Sequence, residues 1–171
     1  MSTKRLFFAL WPDNRQRDRM RDFISPVAKL VEGRAIDRRN WHVTLAWVGD
    51  FPENRIRELQ EAASEVEVEP FRLRFDRLEF WPRPKVAAIV TPVVPPELRL
   101  LVQGLNGKLL GAGLDPEHRT YRPHVTVVRN ARPFETQQLA QRPTMDWSSF
   151  ELVESVTEHG ETNYRPVLKD F

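Results

Sequence analysis

The tripeptide His-Val-Thr occurs twice in this chain, in WHVTLAWVG at residues 41–49 and in PHVTVVRN at residues 123–130. Each copy sits in an apolar run of strand length that ends at polar or turn-forming residues. Side chains alternate across a strand, so His42 and Thr44 share one face while Val43 and Leu45 share the other. The same parity joins His124 to Thr126, and Val125 to Val127. Each copy therefore offers an apolar pair to a packed layer and a polar pair to the opposite face. Sheets covered by helices on one face and open on the other meet that demand.

The rest of the pattern agrees. RLFFAL, residues 5–10, reads as a strand that stops at Trp11-Pro12. Asp13 is a candidate N-cap, and Met20, Phe23, Ile24, Val27, Leu30 and Val31 repeat at helical spacing, with Pro26 kinking the helix or ending it early. After the strand WHVTLAWV, the residues Ile56, Leu59, Ala63 and Val66 mark a second helix. FRLRFDRLEFW and VAAIVTPV read as two strands of a hairpin joined by PRPK. A third helix carries Leu98, Leu101, Val102, Leu105 and Leu109 and ends at Gly111 and Gly113. HVTVV is the next strand, residues 135–141 are a candidate short polar helix, and SFELVESVTE and YRPVLKDF are two final strands. The expected class is α+β.

At 171 residues the chain has room for one domain with a proper core. An apolar fraction of 40% and a charged fraction of 29% are ordinary for a globular protein. No apolar run is long enough to cross a bilayer, and the opening residues lack a secretory cleavage pattern, so a cytoplasmic location is expected. The absence of cysteine excludes disulfides, thiolate nucleophiles and cysteine-ligated metals. A pI near 9.2 and arginine-rich stretches such as RQRDRMR suit a polyanionic ligand, although solvated helix faces have the same composition.

Two imidazoles in one groove suit proton transfer, because histidine titrates near working pH. One takes a proton while the other gives one, and the threonine hydroxyls donate to a phosphoryl oxygen as charge builds there. That set fits phosphodiester cleavage without a metal. A single His-x-Thr would pass for a packed or solvent-facing histidine; its return in an equivalent setting points to a site. The other histidines, His118 and His159, lie in polar stretches and are read as surface residues. Neither copy stands beside a third metal ligand, and the chain has no P-loop, no dinucleotide fingerprint and no serine in a strand-turn-helix elbow.

These residues resemble the two-histidine phosphoesterases, and more narrowly the RNA 2',3'-cyclic phosphodiesterases first described as 2'-5' RNA ligases. RLFFALWP, NWHVTLAWVG, YRPHVTVVRN and the closing FELVESVTEHGETNYRPVLKDF carry the likeness along nearly the whole chain. Trp47 stands where the family usually has Phe, and Val127 where it usually has Leu; both are expected on the packing face. The resemblance implies a bilobal fold of two pseudo-symmetric antiparallel sheets, with helices on their outer faces and a central groove. It implies His42 as proton donor, His124 as base, Thr44 and Thr126 on the phosphoryl oxygens, no cofactor and no metal.

Both histidines are expected to project into open solvent. Arg122 shares the parity of His124 and is a candidate phosphate ligand, with a rim salt bridge as its alternative. Arg129 has the opposite parity, so contact with substrate needs a bulge or the strand's end. Phe7, Trp11, Trp41 and Trp81 are core residues first and base-stacking candidates second. The expected partner is RNA ending in a 2',3'-cyclic phosphate, hydrolysed to a 2'-phosphate with weak reverse ligation, and the protein is expected to be a monomer away from membranes. The alternatives are a small cyclic nucleotide or 2'-5' oligoadenylate as substrate, or an RNA-binding module that does no chemistry.

Overall fold

A computed structural model describes residues 2–169. Strand β1 (Thr3–Leu10) leads into helix α1 (Asn14–Ala28), followed by the two-residue strand β2 (Arg34–Ala35), strand β3 (Val43–Pro52) and helix α2 (Ile56–Ser64). Strands β4 (Phe71–Arg74), β5 (Arg77–Trp81) and β6 (Val86–Val90) precede helix α3 (Pro96–Gly111). Strands β7 (His124–Arg129), β8 (Gln137–Gln138), β9 (Thr144–Trp147), β10 (Glu151–Glu158) and β11 (Glu161–Pro166) complete the order.

The paired strands are antiparallel throughout and form two main sheets, with orders β11-β10-β1-β3 and β2-β7-β6-β5-β8, plus the small pair β4-β9. The class is α+β and the arrangement is two-lobed. Strands β3 and β7, which carry the two motifs, approach each other between the lobes. Aliphatic side chains from both sheets and all three helices share one core, including Leu6, Ile24, Leu59, Ile89, Leu105 and Val125. A second, smaller cluster of Phe7, Ala9 and Val153, with Trp11 and Tyr164 against it, lies apart from that core.

Local signals act as the sequence suggests in α1. Asp13 accepts from the Gln16 backbone N–H at 2.7 Å, and the Gln16 side chain accepts from the Asp13 N–H at 2.9 Å, which makes a reciprocal capping box. Pro26 falls inside the last turn, and the helix stops at Ala28.

Other expectations need correction. FRLRFDRLEFW is not one strand: the ladder breaks at Phe75–Asp76, with β4 turning to pair with β9 while β5 pairs with β6. The polar segment 135–141 is not helical. Prolines flank it at 133 and 143, it buries only Leu139, and its extended backbone adds β8 to the free edge of β5. YRPVLKDF is strand only through Pro166, because β11 starts earlier to pair with β10 from Glu161; Asp170 and Phe171 lie outside the described residues.

Candidate active site

The motif strands carry the same irregularity at the same place. Along β3, Thr44 faces Ala9 of β1 and Ala46 faces Phe8, so Leu45 is an extra residue. Along β7, Thr126 faces Ala88 of β6 and Val128 faces Ala87, so Val127 is an extra residue. A bulge lets two successive apolar side chains turn inward and returns the next residue to the opposite face. Leu45 and Ala46 are buried, as are Val127 and Val128. The next residue on that face is Trp47 in one lobe and Arg129 in the other. Arg129 therefore reaches the groove by the bulge that its parity required. Trp47 is not on the packing face as expected: it is 44% exposed and lines the groove.

His42 stands immediately before the first ladder residue of β3, and His124 opens β7. Both rings are held alike. His42 Nδ1 donates to the Asn40 carbonyl at 2.7 Å, and His124 Nδ1 donates to the Arg122 carbonyl at 2.8 Å. This fixes the tautomer in each neutral ring and leaves Nε2 as the reactive nitrogen. His42 Nε2 lies 3.0 Å from the Thr44 hydroxyl.

Neither ring projects into open solvent as expected; both are half-buried. Phe7 lies 4.8 Å from the His42 ring, Trp11 stacks at 6.1 Å, and Tyr164 meets it edge-on at 5.1 Å. His124 has Trp81 at 4.2 Å. Burial pushes His42 down to about 4, against the pull of the Asn40 carbonyl, and the positive charges of His124, Arg129 and Arg17 act in the same direction as burial. Burial also lowers His124, opposed by its bond to the Arg122 carbonyl and helped by the Arg122 charge.

A cleft of about 420 Å³ takes in Thr44, Trp47, Trp81, Arg122 and His124. A smaller one of about 140 Å³ takes in His42, Thr44, Thr126, Arg129 and Tyr164. Thr44 and Trp47 border both, so the two form one groove that all four motif residues line. Such a concave site with a few convergent polar groups is where ligands bind. Among the described residues no group of three or more histidines or carboxylates could hold a metal ion.

The LigT-like phosphoesterase family model matches residues 10–90. An RNA 2',3'-cyclic phosphodiesterase of Archaeoglobus fulgidus is 27% identical over 130 residues, covering 75% of this chain and 73% of that protein. The protein of the same description from Escherichia coli is 26% identical over 170 residues, covering 97% of this chain and 95% of its own. The crystal structure of E. coli LigT with 3'-AMP superposes with a TM-score of 0.86 at 24% identity, over 98% of this chain and 97% of that one. This chain is similar to the LigT-like phosphoesterases.

In this phosphoesterase several residues that the motif pattern did not single out hold the groove in shape. Arg17 of α1, 6% exposed, donates to the carbonyls of Arg38 at 2.7 Å and Trp41 at 3.2 Å and lies over the Trp11 ring at 4.7 Å. It thus braces the turn that delivers His42. The Asn40 side chain accepts from the Tyr164 N–H at 3.0 Å and donates to Asn163 at 3.2 Å, tying that turn to β11. Glu79 accepts from the Trp81 indole N–H at 3.0 Å and pairs with Arg122 at 3.0 Å. Arg122 is thus the rim ion pair of its alternative reading, yet its guanidinium lies over Trp81 at 4.8 Å and borders the groove.

The phosphoesterase keeps Trp41 in its core and seats Phe7 beneath His42. His118 and His159 are exposed.

Proposed function

We propose that this phosphoesterase opens the 2',3'-cyclic phosphate at the end of RNA, in keeping with the names of its Archaeoglobus and Escherichia relatives, and that it does so without a metal and leaves a 2'-phosphate. The observation that carries this reading is the matched pair of imidazoles, each with Nδ1 anchored to the carbonyl two residues back and Nε2 left for chemistry. In the proposed reaction, water attacks phosphorus in line with O3' and loses a proton to His124 Nε2. The P–O3' bond breaks, and His42 Nε2 gives a proton to the departing oxygen. The Thr44 and Thr126 hydroxyls hold the phosphoryl oxygens, while Arg122 and Arg129 supply positive charge at the rim. The turnover adds one water, and the two imidazoles exchange protonation states.

His42 is neutral in the free groove at neutral pH, so the acid role requires the bound phosphate anion to draw a proton onto it. An anion beside the ring offsets the repulsion from His124, Arg129 and Arg17. A 5'-hydroxyl in place of water would give a 2'-5' linkage by the same steps, which is the weak ligation. The same reading has the protein working as one monomeric domain in the cytoplasm; light scattering should return the mass of a single chain. Among the described residues no helix is long and apolar enough to cross a membrane.

The deciding experiment is digestion of a cyclic-phosphate-ended oligonucleotide in the presence of a strong chelator, with products identified by phosphorus NMR. A 2'-phosphate as sole product is expected. A 3'-phosphate alone would mean that the roles of His42 and His124 are exchanged, and activity lost to the chelator and restored by one divalent ion would overturn the metal-free mechanism.

A further inference from the structure

Past the motif residues the groove opens into a polar pocket of about 350 Å³ bordered by Arg34, Asp37, Arg39, Arg129, Glu161 and Tyr164, among others. Asn40, Arg129 and Tyr164 border both this pocket and the compartment of His42 and Thr126, so the two communicate. Its carboxylates face Arg39. Asp37 accepts from Arg39 Nε at 3.0 Å and Nη2 at 3.4 Å, and Glu161 attracts the same guanidinium at longer range.

Arg34 and Arg129 remain. They are direct cross-strand partners in the β2–β7 pair, which puts both side chains on one side of the sheet. Like charges so placed repel and weaken a strand pair. Neither guanidinium has a carboxylate partner among the described residues, and Arg129 Nη2 donates instead to the Tyr164 hydroxyl at 2.6 Å. A phosphate between them would turn a repulsion into two charge-assisted hydrogen bonds, for which the planar guanidinium is well suited.

A terminal nucleotide whose 2' and 3' oxygens are at the reacting phosphorus leaves its ribose in two further directions, through the base at C1' and through the phosphodiester at O5'. The groove has two flanking compartments of opposite character. Beside His124 stand Trp47, Trp81 and Val102, which offer aromatic and apolar faces to a base. On the His42 side stand the two unneutralised arginines, Arg129 lining the compartment of His42 and Arg34 the pocket that opens beyond it. We infer that Arg34 and Arg129 bind the phosphodiester joining the terminal nucleotide to the one before it, so that an oligonucleotide is preferred over a cyclic mononucleotide. This rests on the hydrolase reading above.

Arg34 is exposed, in a two-residue strand, and Arg34→Gln removes its charge while relieving the repulsion, so the melting temperature should hold or rise. Two ratios test the inference. The first compares kcat/KM for the dinucleotide ApA ending in a 2',3'-cyclic phosphate with that for 2',3'-cyclic AMP. The second compares the affinities of ApA ending in a 2'-phosphate and of 2'-AMP, followed by tryptophan fluorescence. Arg34→Gln should lower both ratios about tenfold, the loss of one charged hydrogen bond, and make dinucleotide binding less sensitive to salt. Equal losses on both members of a pair, or no change, would overturn the subsite. If the wild type hydrolyses neither substrate the hydrolase reading fails, and the affinity ratio alone then decides for or against the subsite.

Discussion

The Tyr121 hydroxyl donates to the backbone carbonyl of Thr44 at 2.8 Å, joining the lead-in of the second motif to the strand of the first. Burial raises the Tyr121 pKa, so the phenol remains a proton donor across the working range. This bond helps to fix the two halves of the groove relative to one another. Tyr121→Phe keeps the ring and removes that bond, at a cost of about 1 kcal/mol. Urea unfolding should register that small loss, while turnover of a cyclic-phosphate-ended RNA should fall disproportionately because the acid and base no longer hold their spacing. A kinetic loss no larger than expected from the unfolded fraction would refute the positioning role.

The motif residues should differ in their weight. His42→Asn and His124→Asn should each lower kcat by about a hundredfold or more, the usual effect of removing a general acid or base. The threonines should not be equal. Thr44 contacts His42 Nε2, whereas no described contact joins Thr126 to His124, so Thr44→Val disturbs both the phosphoryl contact and the ring. Steady-state kinetics should rank Thr44→Val below Thr126→Val, and both above the histidine variants. The reverse order between the threonines would show that the resting hydrogen bond is irrelevant to the reaction.

How much of this was legible in the sequence depends on what each residue answers to. The parity of His42 with Thr44 and of His124 with Thr126 is a property of one strand, and repetition supplied the rest. The bulges at Leu45 and Val127 are properties of two strands in register, and no single strand announces them. Arg129 and Trp47 accordingly reach the groove against simple alternation. Arg17 was hidden in RQRDRMR, which reads as a solvated face, although its spacing from Met20 and Ile24 puts it on the buried stripe of α1. Glu79 shares the parity of Trp81 on β5, a weak signal that only the neighbouring Arg122 makes meaningful. The segment 135–141 went astray because a free sheet edge outweighed its polar composition.

Arg17 offers a test that separates positioning from packing. Arg17→Met fills similar volume but leaves the Arg38 and Trp41 carbonyls without their donor, a cost of about 1–3 kcal/mol. The guanidinium charge also helps to hold the His42 pKa down. The variant should therefore show a higher His42 pKa by imidazole NMR, together with reduced stability. A variant that is merely less stable, with His42 titrating as before, would limit Arg17 to a structural part.

The low basicity of both histidines fixes the sign of the pH response. His42 sits at about 4 in the folded protein, against about 6.5 for an unperturbed histidine, so the unfolded chain binds more protons between those values. Stability is complete above about pH 6.5 and falls as pH drops towards 4, by on the order of 3 kcal/mol from this ring at about 1.4 kcal/mol per pH unit. The His124 shift has the same direction and adds to the loss. Catalysis needs one imidazole neutral and the other charged, and kcat/KM reports the free enzyme, where the two rings titrate as a pair. Its bell should peak on the acidic side of pH 6.5, between the two lowered apparent values. The profile of kcat should lie at higher pH, because the bound phosphate anion favours the charged ring. Both profiles, measured on one oligonucleotide alongside urea unfolding across the same range, check the chain of reasoning. A kcat/KM maximum above pH 7 would mean that the buried imidazoles are not the groups that move the protons.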